Sequence, residues 1–196
     1  MNLQQEEKKE LIIREGLKIL YAKGYNGTGV KEITDAAAIP KGSFYNYFSS
    51  KEDFAVAAMR YFTELELTVM KDILADAATP PLKRIENLYQ LKIKQFIARG
   101  QFSFGCFLGN ITLEMADASA TIAQEAAAAF EREYQPIRAC LEEARQQGDL
   151  AADRDLEQIT ELLRTAWLGT LVMMKANKNQ EPLLRFQETL RQVILR

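Results

Sequence analysis

Apolar residues recur at spacings of three and four from one end of the chain to the other. No segment keeps the period of two that a half-buried strand needs, so the pattern predicts an all-α protein. Ile12, Gly16, Ile19 and Leu20 share one face of a first helix, which Gly24 ends because glycine enters the left-handed region at little cost. Thr28 is the expected N-cap of a second helix at about 30–37, with Val30, Ile33 and Ala37 facing inward and no capping-box glutamate three residues on. Ala38-Ile39-Pro40 breaks the pattern, and a third helix is expected over 41–48, opened by a proline whose missing N–H costs nothing there.

Lys51-Glu52-Asp53 starts a longer helix whose apolar positions Phe54, Ala58, Tyr61, Leu65 and Val69 carry it to about residue 76, where Thr79-Pro80-Pro81 interrupts. Further helices are predicted at about 82–98, 106–116, 118–147, 153–176 and 181–195, making about nine in all. The long fourth helix implies a boundary inside it. A three-helix domain at 5–65, with a helix-turn-helix at about 29–48, would then join a helical domain at 66–196.

Composition narrows the function. With 196 residues, 47% hydrophobic and 27% charged, the chain can bury a sizeable core without staples. No run of about 18 apolar residues suggests a membrane span, and Met1 to Glu10 lacks the apolar stretch of a secretory signal, so a cytoplasmic protein is expected. Cys106 and Cys140 are too few for a disulfide framework and match no zinc spacing. The absence of histidine removes the commonest general base and metal ligand, so no catalytic residue, metal or cofactor is expected. A net charge of −2 and a pI near 5.5 do not announce a nucleic-acid partner.

Local arrangement does point to one. Two short helices joined by a tight turn are the geometry that lays a second helix in the major groove, its first residues nearest the base edges. Gly42 and Ser43 are small enough for close approach; Lys41, Tyr45, Asn46 and Tyr47 carry donors suited to phosphate or to base edges. Charge gives limited help, since Lys31, Lys41 and Lys51 face Glu32 and Asp35 across residues 31–51. Such corners also occur purely as packing units, so an all-helical protein-interaction module without DNA binding is the alternative.

The order and spacing of Ile12-Ile13, Leu20, Gly24-Tyr25, Thr28, Ile33, Ala37, Ile39, Gly42-Ser43-Phe44-Tyr45, Tyr47-Phe48 and Lys51-Glu52 resemble the DNA-binding domain of the TetR family of repressors. The resemblance covers about the first quarter of the chain. It implies that Thr28, Lys41, Tyr45, Tyr47 and Lys51 hold phosphates, that Ser43 and Asn46 face bases, and that Phe44 and Phe48 are core; Lys31 and Gly42 complete the DNA-binding set. The chain departs from the family pattern at Ala38, where glycine is usual, and at Thr34, where alanine is usual. The run Pro40-Lys41-Gly42-Ser43-Phe44-Tyr45 also resembles a branch that includes repressors of electrophile-responsive reductases.

The same resemblance implies that the remaining helices enclose an effector and that the last two form a four-helix homodimer interface, here 159–176 and 183–195. Leu163, Trp167, Leu171, Leu190 and Ile194 are the expected interface, on an apolar face wider than one helix needs, with burial inside the monomer as the competing reading. Phe96, Phe104, Cys106, Phe107, Asn110, Tyr134 and Met173 are the candidate effector residues. Cys106 stands where a helix should begin, which lowers a thiol pKa and favours attack on electrophiles; an inert buried thiol competes. An enzyme using Cys106 as nucleophile would lack a histidine to activate it. The expected function is a repressor that binds double-stranded palindromic operator DNA as a homodimer and is released by a small apolar or electrophilic effector.

Overall fold

The computed structural model describes residues 3–195; Met1, Asn2 and Arg196, which the leader reading and the domain bounds included, lie outside them. The helices are α1 (Leu3–Lys23), α2 (Val30–Ala36), α3 (Lys41–Phe44), α4 (Lys51–Leu74), α5 (Pro81–Arg99), α6 (Phe107–Met115), α7 (Ala120–Gln147), α8 (Leu156–Asn177) and α9 (Glu181–Thr189), with a π-helical turn at Leu190–Ile194. There is no strand among the described residues. No helix there is long and apolar enough to cross a membrane.

The chain forms two compact units. The first comprises Met1–Leu65 and Phe107–Phe130, the second Glu66–Cys106 and Glu131–Arg196. The grouping departs from a division at residue 65, because α6 and the start of α7 pack with the N-terminal helices. Glu114 of α6 accepts the Asn26 N–H at 2.9 Å, and Arg60 of α4 donates to Glu125 of α7 at 2.8 Å. Phe107 supplies the apolar counterpart, its ring centroid 5.9 Å from Tyr21 and 5.1 Å from Phe62.

In the first unit α1 lies close on its neighbours because Gly16 lacks a side chain; a Cβ there would strike the Phe54 ring and come within 2.8 Å of Ile33 Cγ2. Gly24 ends α1 at φ 77°, as expected. The N-cap of α2 is Gly29 rather than Thr28. Counted from Gly29, Glu32 is the third residue, and its carboxylate accepts the Gly29 N–H at 3.0 Å, so the capping-box acid is present after all. Thr28 instead donates its hydroxyl to the Gly24 carbonyl at 2.7 Å and is 2% exposed.

The turn after α2 closes with two reversed bonds, Ala38 N–H to the Asp35 carbonyl at 3.2 Å and Ile39 N–H to the Thr34 carbonyl at 3.0 Å. That pairing is the Schellman motif, which requires a left-handed residue between its donors. Ala38 fills the place at φ 52°, a conformation in which its Cβ is strained.

The second unit is organised around Leu88, Tyr89, Leu163, Trp167, Phe186 and Leu190, all buried. Tyr89 stacks edge-on to Trp167 at 5.4 Å and tilts against Phe186 at 5.0 Å. Arg84, 5% exposed, ties its elements together: it chelates Glu143 of α7 at 2.7 and 2.8 Å, and donates to the carbonyls of Leu74 at the end of α4 (3.2 Å) and of Thr79 (2.6 Å). Like-for-like helix ends drift little from the sequence reading except in α3, which is regular only to Phe44; residues 45–47 continue as turns.

Two outcomes follow. Ala38→Gly relieves the strained turn by about 1 kcal/mol, raising Tm by about 2–4 °C in a scanning calorimeter. Arg84→Met strands buried carbonyls that each cost about 1–3 kcal/mol without a donor, so Tm falls by about 5 °C or more in the same measurement.

Candidate nucleic-acid interface

Residues 39–48 form a segment with one anchored side and one open side. Pro40 at φ −62° precedes α3 and its carbonyl accepts the Ser43 N–H at 2.9 Å. Past Phe44, the bonds Asn46 N–H to Ser43 (3.2 Å), Tyr47 N–H to Phe44 (3.0 Å) and Phe48 N–H to Phe44 (3.1 Å) hold the turns. Phe44 and Phe48 are 0% and 1% exposed, their centroids 5.2 Å apart and 5.8 and 5.2 Å from Phe54 of α4. These rings fasten the segment to its own unit.

The opposite side faces outward. Lys41, Gly42, Tyr45 and Asn46 are exposed, and Ser43 and Tyr47 are half-buried. A Cβ on Gly42 would meet nothing within 4 Å, so no internal packing demands a glycine there. The Tyr45 ring stands edge-on to Phe44 at 5.3 Å and is 54% exposed.

The cations divide by environment. Lys31 is exposed but bound to Asp35 at 2.6 Å, one turn along α2. Lys51 turns inward: its ammonium donates to the carbonyls of Tyr25 (2.8 Å) and Thr28 (2.9 Å) and sits 4.0 Å from the Tyr25 ring centroid. Burial pushes the Lys51 pKa down. Two residues expected on phosphates, Thr28 and Lys51, therefore act within the protein, tying the loop after α1 to the start of α4. Periodicity and donor type cannot separate a lysine that reaches outward from one that folds back onto carbonyls.

Lys9 was missed by the sequence reading. Its ammonium lies 5.4 Å from the Phe48 ring centroid, which brings a cation of α1 beside the end of the reading segment. The only available signal was a lysine in a helix with several others, too common to single it out.

The effector candidates fall into both units. Phe107 packs on Tyr21 and Phe62 in the first, where Asn110 also belongs, and is buried there. Phe96, Phe104, Cys106, Tyr134 and Met173 belong to the second. Phe96 packs at 6.0 Å from Trp167, and Tyr134 is buried. Cys106 immediately precedes α6, the helix start expected for it, and both cysteines are thiols. Met173 is 51% exposed and lines an open groove between α8 and α9 with Thr170, Arg185 and Phe186.

The expected dimer residues are also corrected. Leu163, Trp167, Leu171, Leu190 and Ile194 are all 6% exposed or less, forming the core of their own unit. The outward sides of the last helices instead present Leu162, Val172, Met173, Leu184 and Val193, between 41% and 60% exposed. A wide apolar face reveals that it is buried, not what buries it.

Comparison with known proteins agrees with this architecture. Residues 12–58 match the family model described as bacterial regulatory proteins, tetR family, and residues 81–190 match the tetracyclin repressor-like C-terminal domain. The HTH-type transcriptional repressor DhaR of Mycobacterium sp. (strain GP1) is 31% identical over 179 residues, covering 91% of this chain and 87% of that protein. The HTH-type transcriptional repressor NemR of Escherichia coli (strain K12) is 27% identical over 183 residues, covering 91% and 89%. A crystal structure of the regulatory protein TetR from Rhodobacter sphaeroides superposes with a TM-score of 0.84 at 30% identity, covering 92% and 95% of the two chains. With both of its parts matched and an exposed reading segment set on a phenylalanine anchor, the chain belongs to the TetR family of DNA-binding transcriptional regulators.

Proposed function

We propose that this protein represses transcription by binding a near-palindromic operator as a homodimer, and that a small molecule held in its second unit releases it. The observation that carries the reading is the two-sided segment at 39–48: Phe44 and Phe48 are locked inward while Lys41, Gly42, Tyr45 and Asn46 face out. In the major groove, Asn46 and Ser43 would meet base edges, and Lys41, Tyr45, Tyr47 and Lys9 would hold phosphates. The open space at Gly42 supports close approach of the duplex backbone. Lys31 is exposed and joins the phosphate set once it exchanges Asp35 for DNA. Its absent partner is a second copy of the chain, which places two reading segments about 34–36 Å apart on successive turns.

The dimer contact in this reading is the outward side of α8 and α9. Leu162, Gly169, Val172 and Met173 follow helical spacing along α8, and a Cβ on Gly169 would meet nothing within 4 Å in the single chain. Contact between two such faces would cover the apolar side chains that one copy leaves in water.

Fluorescence anisotropy with the duplex upstream of the gene tests the first part. Lys41→Ala is expected to weaken binding about tenfold at 0.1 M salt and to reduce the slope of log K against log salt by about one; an unchanged slope shows that Lys41 touches no phosphate. Sedimentation tests the second. Val172→Glu is expected to turn a dimer into a monomer and to lower duplex affinity with it, whereas a monomeric wild-type protein that binds the duplex rejects the dimer.

A further inference from the structure

The interior of the second unit holds a polar cluster that DNA reading does not use. Glu66 of α4, Tyr89 and Lys92 of α5, Cys106 before α6, and Glu133 and Tyr134 of α7 lie within electrostatic reach of one another. Arg164 of α8 stands over the Tyr134 ring at 5.8 Å and pairs with Glu161. Lys92 is paired with Glu66 and its charge also reaches Glu133, so two carboxylates share one ammonium. Glu133 Oε1 is buried and has no hydrogen-bond partner, and Tyr89, 1% exposed, has its hydroxyl beside that of Tyr134. A stranded carboxylate oxygen at such depth costs about 1–3 kcal/mol, and a core that keeps one beside a buried tyrosine hydroxyl is suited to a ligand that satisfies it.

The complement of this cluster is a donor, not an acceptor. The Glu133 oxygen can only accept while ionised, and the charges of Glu66, Lys92 and Glu133 leave an excess of one negative. The ring of Tyr89 continues into Trp167, Phe186 and Phe96 at 5.0–6.0 Å, an aromatic wall whose faces attract cations. We propose that Glu133 and Tyr89 bind a small organic ammonium ion with an apolar body, its N–H groups on Glu133 Oε1 and Tyr89 Oη and its body against that wall. The proposal rests on the reading of the second unit as the effector-binding part.

Protonation supplies the signature. Burial, ahead of the opposing pull of Lys92, raises the Glu133 pKa from 4.5 to about 7. A cation binds the ionised form, so below pH 7 Glu133 must first release its proton and affinity falls with acid. An alcohol or a carboxylate ligand would instead gain from the protonated acid or ignore it.

Calorimetric titration of the full-length protein with benzylammonium, benzyl alcohol and benzoate tests the proposal. Benzylammonium is expected to bind saturably, one per chain, and about tenfold more tightly at pH 8 than at pH 6, as Glu133 goes from about one-tenth to nine-tenths ionised. Glu133→Gln is expected to lose that pH dependence and at least tenfold in affinity, with the helical circular dichroism and the melting transition retained; Tyr89→Phe, which keeps the ring, is expected to weaken binding without changing the pH profile. Tighter binding of benzyl alcohol or benzoate, undiminished affinity in Glu133→Gln, or no saturable uptake overturns the cation site. Duplex binding, measured separately, distinguishes the two readings: a protein that binds its operator and ignores benzylammonium rejects this site alone, and one that takes up the cation but no duplex rejects the repressor.

Discussion

The reading segment depends on three rings. A helix of four residues has no stability of its own, because nucleation consumes more entropy than one turn of hydrogen bonds returns. Phe44, Phe48 and Phe54, with centroids 5.2–5.8 Å apart, hold α3 in place from below and thereby determine which side chains look outward. Phe44 and Phe48 are one turn apart, so fixing both fixes the rotation of the segment as well as its position. Lys41, Gly42, Tyr45 and Asn46 are exposed as a consequence.

That anchor is itself braced from two directions. Gly16 allows α1 to lie against the Phe54 ring and Ile33, and Lys51 binds the carbonyls of Tyr25 and Thr28 so that the loop after α1 and the start of α4 move as one. Glu114 holds the Asn26 amide from α6. Because α6 and the start of α7 belong to the first unit while α5, α8 and α9 belong to the second, the chain passes between the units more than once. Two helices, α4 and α7, contribute residues to both units.

Much of the fold was legible because helices leave a period in the sequence. Gly24 and Ala38 were readable as left-handed positions, the latter by its departure from a family glycine, and both have positive φ. Side-chain direction was legible only in part: Phe44 and Phe48 are buried as expected, but the donors nearby were misjudged. Thr28 looked like a cap and Lys51 like a phosphate ligand, yet both spend their donors on backbone carbonyls brought near by the loop between α1 and α2. The faces of α8 failed for a related reason: Leu163, Trp167 and Leu171 differ from Leu162 and Val172 by about one helical position, so periodicity finds two apolar stripes and cannot say which belongs to the monomer. Of the polar cluster around Glu133, Cys106 and Tyr134 were singled out in the sequence, but Glu66, Lys92 and Glu133 gave no signal, since they come from α4, α5 and α7 and meet only in three dimensions.

The central claim is that the outward side of residues 41–47 is the surface that meets DNA. Hydrogen–deuterium exchange of the full-length protein, read by mass spectrometry with and without the upstream duplex, tests it most directly. Slowed exchange concentrated in peptides spanning 39–48 and the N-terminal part of α1 is the expected result; unchanged exchange there while another surface becomes protected would contradict the account.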